Sequence, residues 1–420
     1  MPTMEKSKLD DLAILGGRPE FDAPLHVGSP NIGDRDRLRQ RIDDILDRKM
    51  LSNGGPYVRE FERRVAELAG VKHCIATCNG TLALEIAIRA LGLTGEVILP
   101  SFTFVATAHA LQWQEITPVF CDIDPETCNL DPARVAELIT PRTTGIIGVH
   151  LWGRPCDTQA LVEIARERNL RLLYDASHAF GASHRGRMIG SFGDAEVFSF
   201  HATKFLNTFE GGAILTKSDE LAEKARLMRN FGFVTTDRVT HVGTNGKMHE
   251  VSAAMGLTSL EDMDRFIAVN RTNYLAYRER LAEVPGLRVL AHDESERCNY
   301  QYVVIEVDAA ETKVDRDTLV SVLAAENVLA RRYFHPGCHR MEPYRSYFPH
   351  AGLLLPVTER QSARVFSVPT GTSVGLAEID RVCRVIALAV EHGAELAKAL
   401  GVAAGTPTAG PVGIYRPRVA

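Results

Sequence analysis

The sequence predicts an α/β protein: a mostly parallel sheet covered by helices, followed by a smaller α+β unit. From about Val71 to Thr216, short apolar runs alternate with amphipathic helical windows, the rhythm of parallel strands joined by crossover helices. That rhythm then gives way to two strand-like runs separated only by a loop, and a second cluster of short apolar runs begins near Leu287. Two packing units are expected: residues 1–265, N-terminal segment included, form the large one, 266–400 the small one, and 401–420 a tail.

The elements follow in order. HCIAT (73–77) precedes a helical window at 82–91, and EVILP (96–100) leads into another at 106–113. TPVFCDI (117–123), GIIGVHLWG (145–153) and RLLYDAS (171–177) repeat the pattern, with a helical window at 157–168 between the last two. AEVFSFH (195–201) and GGAILT (211–216) read as two strands whose connecting loop holds Lys204. Helices are expected from Asp219 to about Asn230 and from about His249 to Val284, leading out of the large unit. LRVLA (287–291) and QYVVIEV (301–307) then join helices at 315–326 and 378–400. The last stretch is rich in Gly, Pro and small residues, a composition that frays.

Composition narrows the function. The 420 residues are 45% hydrophobic and 24% charged, which suits a well-cored protein. A net charge of −5 provides no global basic field for nucleic acid or an anionic membrane, so anionic ligands must be bound locally. Eight scattered cysteines lack the paired spacing of a zinc site or the density of a disulfide scaffold and are expected to be reduced thiols; no metal is expected. No run approaches the roughly 18 apolar residues that span a bilayer, and the first residues lack a basic segment followed by an apolar one. A cytoplasmic enzyme or binding protein is expected.

Three segments carry chemistry. In NGTLALEIAIRAL (79–91) a strand ends in Asn-Gly-Thr and a helix begins. A helix start offers free N–H groups and partial positive charge, and Gly80 allows close approach of an anion such as phosphate. A plain N-cap role for Asn79 or Thr81 fits the same residues. In YDASHAFGA (174–182), Asp175 ends an apolar strand, the edge at which open parallel sheets bind ligands. A carboxylate there needs a positive partner, for which a protonated pyridine nitrogen qualifies, or else it caps the following turn. In VFSFHATKFLNTFEGGAILT (197–216), Lys204 sits in a loop at the mouth of the sheet, where burial turns an amine into a nucleophile. Ser199 and His201 share one face of the preceding strand by period-two alternation.

With these motifs in place, the chain resembles the DegT/DnrJ/EryC1/StrS family of sugar aminotransferases. The likeness runs from LSNGGPYVREFE (51–62) to SVPTG (367–371). It implies the aspartate-aminotransferase fold of pyridoxal 5′-phosphate (PLP) enzymes, fold type I, with a seven-stranded sheet in the large domain. It also implies roles for matching positions: Lys204 carries the cofactor as a Schiff base and shuttles the proton, and Asp175 partners the pyridine nitrogen. By the same resemblance His178 lies near the cofactor's 3′-oxygen, Gly80, Thr81 and Ser199 bind its phosphate, and Phe104 in PSFTFVAT (100–107) stacks on its ring. GTNGKMHEVSAAMGL (243–257) resembles a segment whose Asn reaches the phosphate of the neighbouring subunit. Asn245 takes that place, which implies a homodimer with shared sites, while an Asn-Gly turn is the local reading. Asn79 replaces the more usual Ser, and Phe209 stands where Gly commonly precedes Glu-Gly-Gly and would narrow the site.

Within the family, PLHVGSPNIGD (24–34), FHATKFLNTFEGG (200–212) and RRYFHPGCHRMEPY (331–344) look most like enzymes that aminate C4 of dTDP-4-keto-6-deoxyglucose. The resemblance thus implies transfer from L-glutamate to give dTDP-4-amino-4,6-dideoxyglucose, a building block of antibiotic or surface sugars. Arg331, Arg332, His335 and His339 are candidates to meet the donor carboxylate or the sugar diphosphate. Rival readings are amination at C3 or on another nucleotide sugar, a PLP sugar dehydratase, which typically lacks the lysine, and a non-catalytic homologue. No GxGxxG follows the first strand, which argues against a Rossmann site.

Overall fold

Seven of the apolar runs join into one sheet in the computed structural model, which describes residues 6–401. The strands are β1 (His73–Thr77), β2 (Glu96–Pro100), β3 (Thr117–Cys121), β4 (Thr143–Val149), β5 (Arg171–Asp175), β6 (Ala195–Ser199) and β7 (Gly212–Thr216). Their spatial order is β1-β7-β6-β5-β4-β2-β3. All neighbours are parallel except β7, which runs antiparallel to β6 and β1. The antiparallel pairing of β6 and β7 goes with a connection that is a loop without a helix, a link that antiparallel neighbours accept readily.

Each strand is an apolar run because helices cover both faces. Alternation sorts the side chains: Ala213 and Leu215 of β7 pack with Phe61, Phe198 and Phe200, while Ile214 between them packs with Leu84, Ala87 and Val197 on the other face. Among the described residues two α-helices precede β1, Arg35–Arg48 and Pro56–Ala69. The second is capped from afar, as the buried carboxylate of Glu250 accepts Tyr57 N–H at 2.9 Å and Val58 N–H at 3.1 Å.

Two expected long helices are each broken in two. The first divides into Glu250–Glu261 and Met263–Arg280 at Asp262, whose carboxylate accepts the Asp34 N–H at 3.0 Å. The second divides into Leu376–Glu391 and Gly393–Ala399 at His392. Helix Met263–Arg280 gives Met263 and Phe266 to the core beneath the large sheet, and Tyr274 and Tyr277 to a second core. Residue 265 lies in its first turn.

That second core covers a three-stranded antiparallel sheet, β8 (Leu287–Val289), β9 (Val303–Val307) and β10 (Val365–Val368), with β9 central. The N-terminal segment, grouped with the large unit on sequence grounds, packs here instead. Leu12 and Phe21 are buried in this core, and Leu25–His26 pairs with Val328–Leu329. The apolar side chains of that segment find their burial on the smaller unit, and the sequence pattern alone does not reveal it. No helix among the described residues is long and apolar enough to cross a membrane. The expected tail lies, apart from Gly401, outside the described residues.

Candidate active site

Parallel strands that end together leave their last residues facing one crevice. Asp175 ends β5, Val149 ends β4 and Ser199 ends β6, and all three line a cavity of about 530 Å³. Its walls also include Gly80, Thr81, Phe104, His178, His201 and Lys204 from the large sheet's connections, with Tyr302, Tyr333 and Phe334 from the C-terminal part.

The phosphate-type turn forms where β1 passes into helix Gly80–Ala90. Asn79 is the N-cap, its Oδ1 accepting Leu82 N–H at 2.8 Å. Capping and anion binding are therefore compatible, since the cap leaves the Gly80 and Thr81 N–H groups at the cavity. Gly80 is required by space: a Cβ there would lie 2.9 Å from Ser199 Cβ. Gly212 is required in turn, because its Cβ would meet the Asn79 carbonyl at 2.6 Å.

Asp175 is buried, with Oδ1 accepting Ser177 N–H at 3.1 Å and Ser177 Oγ–H at 2.6 Å, while Oδ2 accepts Thr107 Oγ1–H at 2.8 Å. It thus caps its own turn and still faces the cavity. His178 Nδ1 accepts the Trp152 N–H at 3.2 Å, which puts the ring proton on Nε2. Burial, and then the nearby Lys204 charge, hold the His178 pKa well below the ordinary imidazole value. The ring stacks on Phe334 with 5.6 Å between centroids. Phe104, 57% exposed, stands on the wall 6.2 Å from Phe334.

The lysine loop is pinned from several sides. Lys204 N–H donates to His201 O at 2.8 Å, Gln301 Nε2 to Thr203 O at 2.6 Å, and Asn31 Nδ2 to Phe205 O at 3.0 Å. Burial brings the Lys204 pKa down to about 8, against the opposing pull of Asp175. Its residual exposure is toward the cavity.

Asn245, a predicted site residue, does not line this cavity. It is exposed, bridges Asn230 in antiparallel fashion and accepts Lys247 Nζ at 2.6 Å. Nor do the candidate cations of residues 331–339 line the cavity. Arg332 pairs with Asp317 at 2.9 Å, His335 Nδ1 meets Ser362 O at 3.2 Å, and His339 lies between Ser101 and Glu359, 2.7 Å from each. Their neighbours Tyr333 and Phe334 face the cavity instead. Phe209, expected to narrow the site, lies outside the wall of this cavity; its φ of 63° is in the left-handed region that glycine adopts most easily.

The residues present fit pyridoxal phosphate: a glycine cradle with free N–H groups and a serine hydroxyl for phosphate, a buried carboxylate for a ring nitrogen, and an amine of lowered basicity. A mostly parallel seven-stranded sheet with this site at its C-terminal edge defines a PLP-dependent aminotransferase of the aspartate-aminotransferase fold. The chain belongs to the DegT/DnrJ/EryC1/StrS aminotransferase family, whose profile matches residues 33–387. It is 41% identical over 75% of its length, and 86% of the relative's, to a dTDP-4-amino-4,6-dideoxy-D-glucose transaminase of Shigella dysenteriae. A GDP-perosamine synthase of Caulobacter vibrioides is 36% identical over 85% of this chain and 96% of its own. A crystal structure of DesI in the presence of its TDP-sugar product superposes with a TM-score of 0.90 at 54% identity, covering 94% of this chain and 100% of that one.

Sequence reading missed Thr103, Thr107, Ser177, Tyr302, Tyr333 and Phe334. Thr107 and Ser177 lay within quoted motifs, where their hydroxyls were the available signal. The three aromatics carry no spacing that ties them to a cavity formed by other segments.

Proposed function

We propose that this enzyme transfers an amino group from L-glutamate to C4 of dTDP-4-keto-6-deoxy-D-glucose, giving dTDP-4-amino-4,6-dideoxy-D-glucose. The observation that carries the catalytic reading is that Lys204, Asp175 and the Gly80–Thr81 turn open into one cavity. The sugar rests on likeness to the Shigella transaminase and to DesI with its TDP-sugar product.

In this reading Gly80, Thr81 and Ser199 would hold the phosphate, Phe104 would stack on the ring, Asp175 would pair with the ring nitrogen, and the Nε2–H of neutral His178 would meet the 3′-oxygen. Bound there, the cofactor supplies an electron sink. Lys204 Nζ removes the α-proton of glutamate and, in the second half-reaction, delivers a proton to C4 of the sugar. A pKa near 8 suits both duties close to neutral pH.

The chain works as a homodimer in this proposal, with Asn245 completing the neighbouring subunit's phosphate site. An exposed apolar hairpin supports it: Phe231, Phe233, Val234, Val239 and Val242 lie just before Asn245, a surface that a second copy would cover. Residues 1–265 and 266–400 serve as the two domains, apart from the N-terminal segment. The setting proposed is the cytoplasm, in deoxysugar synthesis for an antibiotic.

The test is a substrate panel of dTDP-4-keto, GDP-4-keto and dTDP-3-keto 6-deoxy sugars with glutamate, the products identified by NMR. Turnover of the dTDP-4-keto sugar above the others is expected. Transfer to the 3-keto sugar alone would overturn the C4 assignment, and preference for the GDP sugar would overturn the nucleotide.

A further inference from the structure

The Asp175 carboxylate has a fixed capacity that its neighbours nearly fill. Each carboxylate oxygen accepts about two hydrogen bonds. Oδ1 already takes two, from Ser177 N–H and Ser177 Oγ–H, whereas Oδ2 takes one, from Thr107 Oγ1. Oδ2 is therefore the oxygen with a direction left for a ligand, and Thr107 is its protein partner.

Thr107 has one hydroxyl proton and three acceptors within reach, Asp175 Oδ2 at 2.8 Å, Thr103 Oγ1 at 3.0 Å and Phe104 O at 3.1 Å. The carboxylate, the nearest of the three, takes it. Thr103 Oγ1, 3.0 Å away, then donates to the Thr107 oxygen, so a buried chain runs Thr103 to Thr107 to Asp175. Both threonines belong to the segment that carries Phe104, so one hydrogen-bonded run ties the aromatic wall to the carboxylate.

We propose that Thr107 is a positioning residue for the transamination: its hydroxyl orients Asp175 so that Oδ2 meets the cofactor's ring nitrogen, and it holds that oxygen as an acceptor. The proposal rests on the reading of Asp175 as the ring-nitrogen partner.

The experiment compares Thr107→Val, Thr107→Ala and Thr107→Ser with Asp175→Asn as holoenzymes, by steady-state kinetics and by pH titration of the visible cofactor band. Val keeps the shape and removes the hydroxyl, and Ala adds no bulk if Val disturbs the packing. For Thr107→Val and Thr107→Ala, kcat should fall about 10- to 100-fold, the scale of a hydrogen bond to a charged group, with KM for the sugar changing far less. The midpoint of the band should move in both and return to the wild-type value in Thr107→Ser. Wild-type kcat and titration in the Val and Ala variants would overturn the proposal, as would a Thr107→Ser variant as impaired as they are. Asp175→Asn separates the two levels: if it leaves kcat and the band unchanged, the reading of Asp175 itself fails. If it changes both while the threonine variants do not, only the role of Thr107 fails.

Discussion

Burial makes the Lys204 ammonium costlier to keep inside the fold than in the unfolded chain, and its pKa falls from 10.5 to about 8. The consequence for stability has a definite sign. Below pH 8 both states hold the proton and the folded state bears the penalty. Between about 8 and 10.5 the unfolded chain keeps a proton that the folded one has released, so stability rises with pH across that window. Urea unfolding of the cofactor-free protein should therefore show wild type gaining on Lys204→Met from pH 8 to 10; parallel profiles would remove the buried-amine account. In the holoenzyme, Lys204→Ala should abolish the visible band of the lysine-linked cofactor and lower turnover by about 10²–10⁴-fold, the range of positioned proton transfer. At Gly80 the argument is steric, as a methyl group would press on Ser199 at 2.9 Å. Gly80→Ala should weaken cofactor binding by about 5- to 150-fold, matching an overpacking cost of about 1–3 kcal/mol, measured by equilibrium dialysis.

At the scale of elements, the helix before β1 depends on a residue far along the chain. Glu250 is wholly buried and accepts two N–H groups of the first turn of Pro56–Ala69, so Glu250→Ala should cost about 1–3 kcal/mol in urea unfolding through unmet donors, and Glu250→Gln less. The same contrast explains what could be read from the sequence. Strands β1 to β7 were legible because a doubly covered sheet makes each one a mostly apolar run, and Asp175 and Lys204 were legible because each stands beside the end of such a run. Helix Arg35–Arg48 was not, having Ile45 as its one buried residue and so no apolar stripe. Helix Pro56–Ala69 did carry one, at Val58, Phe61, Val65 and Ala69, and was overlooked. The basic residues of 331–339 were visible as charge, but Asp317 and Glu359, which engage Arg332 and His339, come close only through tertiary packing. Tyr302, Tyr333 and Phe334 reach the site because the C-terminal part packs there, Tyr302, Val304 and Phe334 clustering with Phe102, Val149 and Trp152, a contact no local pattern encodes.

For the whole molecule, the decisive question is whose site Asn245 serves. In its own chain it is exposed and absent from the cavity wall, while the apolar hairpin beside it stands in water. The proposed homodimer, with its Asn245 residues crossing over, would account for both facts, and complementation between variant chains tests it. Lys204→Ala and Asn245→Ala homodimers should each be impaired. A mixed dimer, isolated through two different tags, then has one site with the intact Lys204 of the Asn245→Ala chain and the intact Asn245 of the Lys204→Ala chain, while its other site lacks both. Such a dimer should recover about half of the wild-type activity, one working site of two. If Asn245 instead served its own chain, each site of the mixed dimer would still lack one group, and mixing would restore nothing. An Asn245→Ala homodimer with full activity and full cofactor affinity would remove the residue from the site altogether.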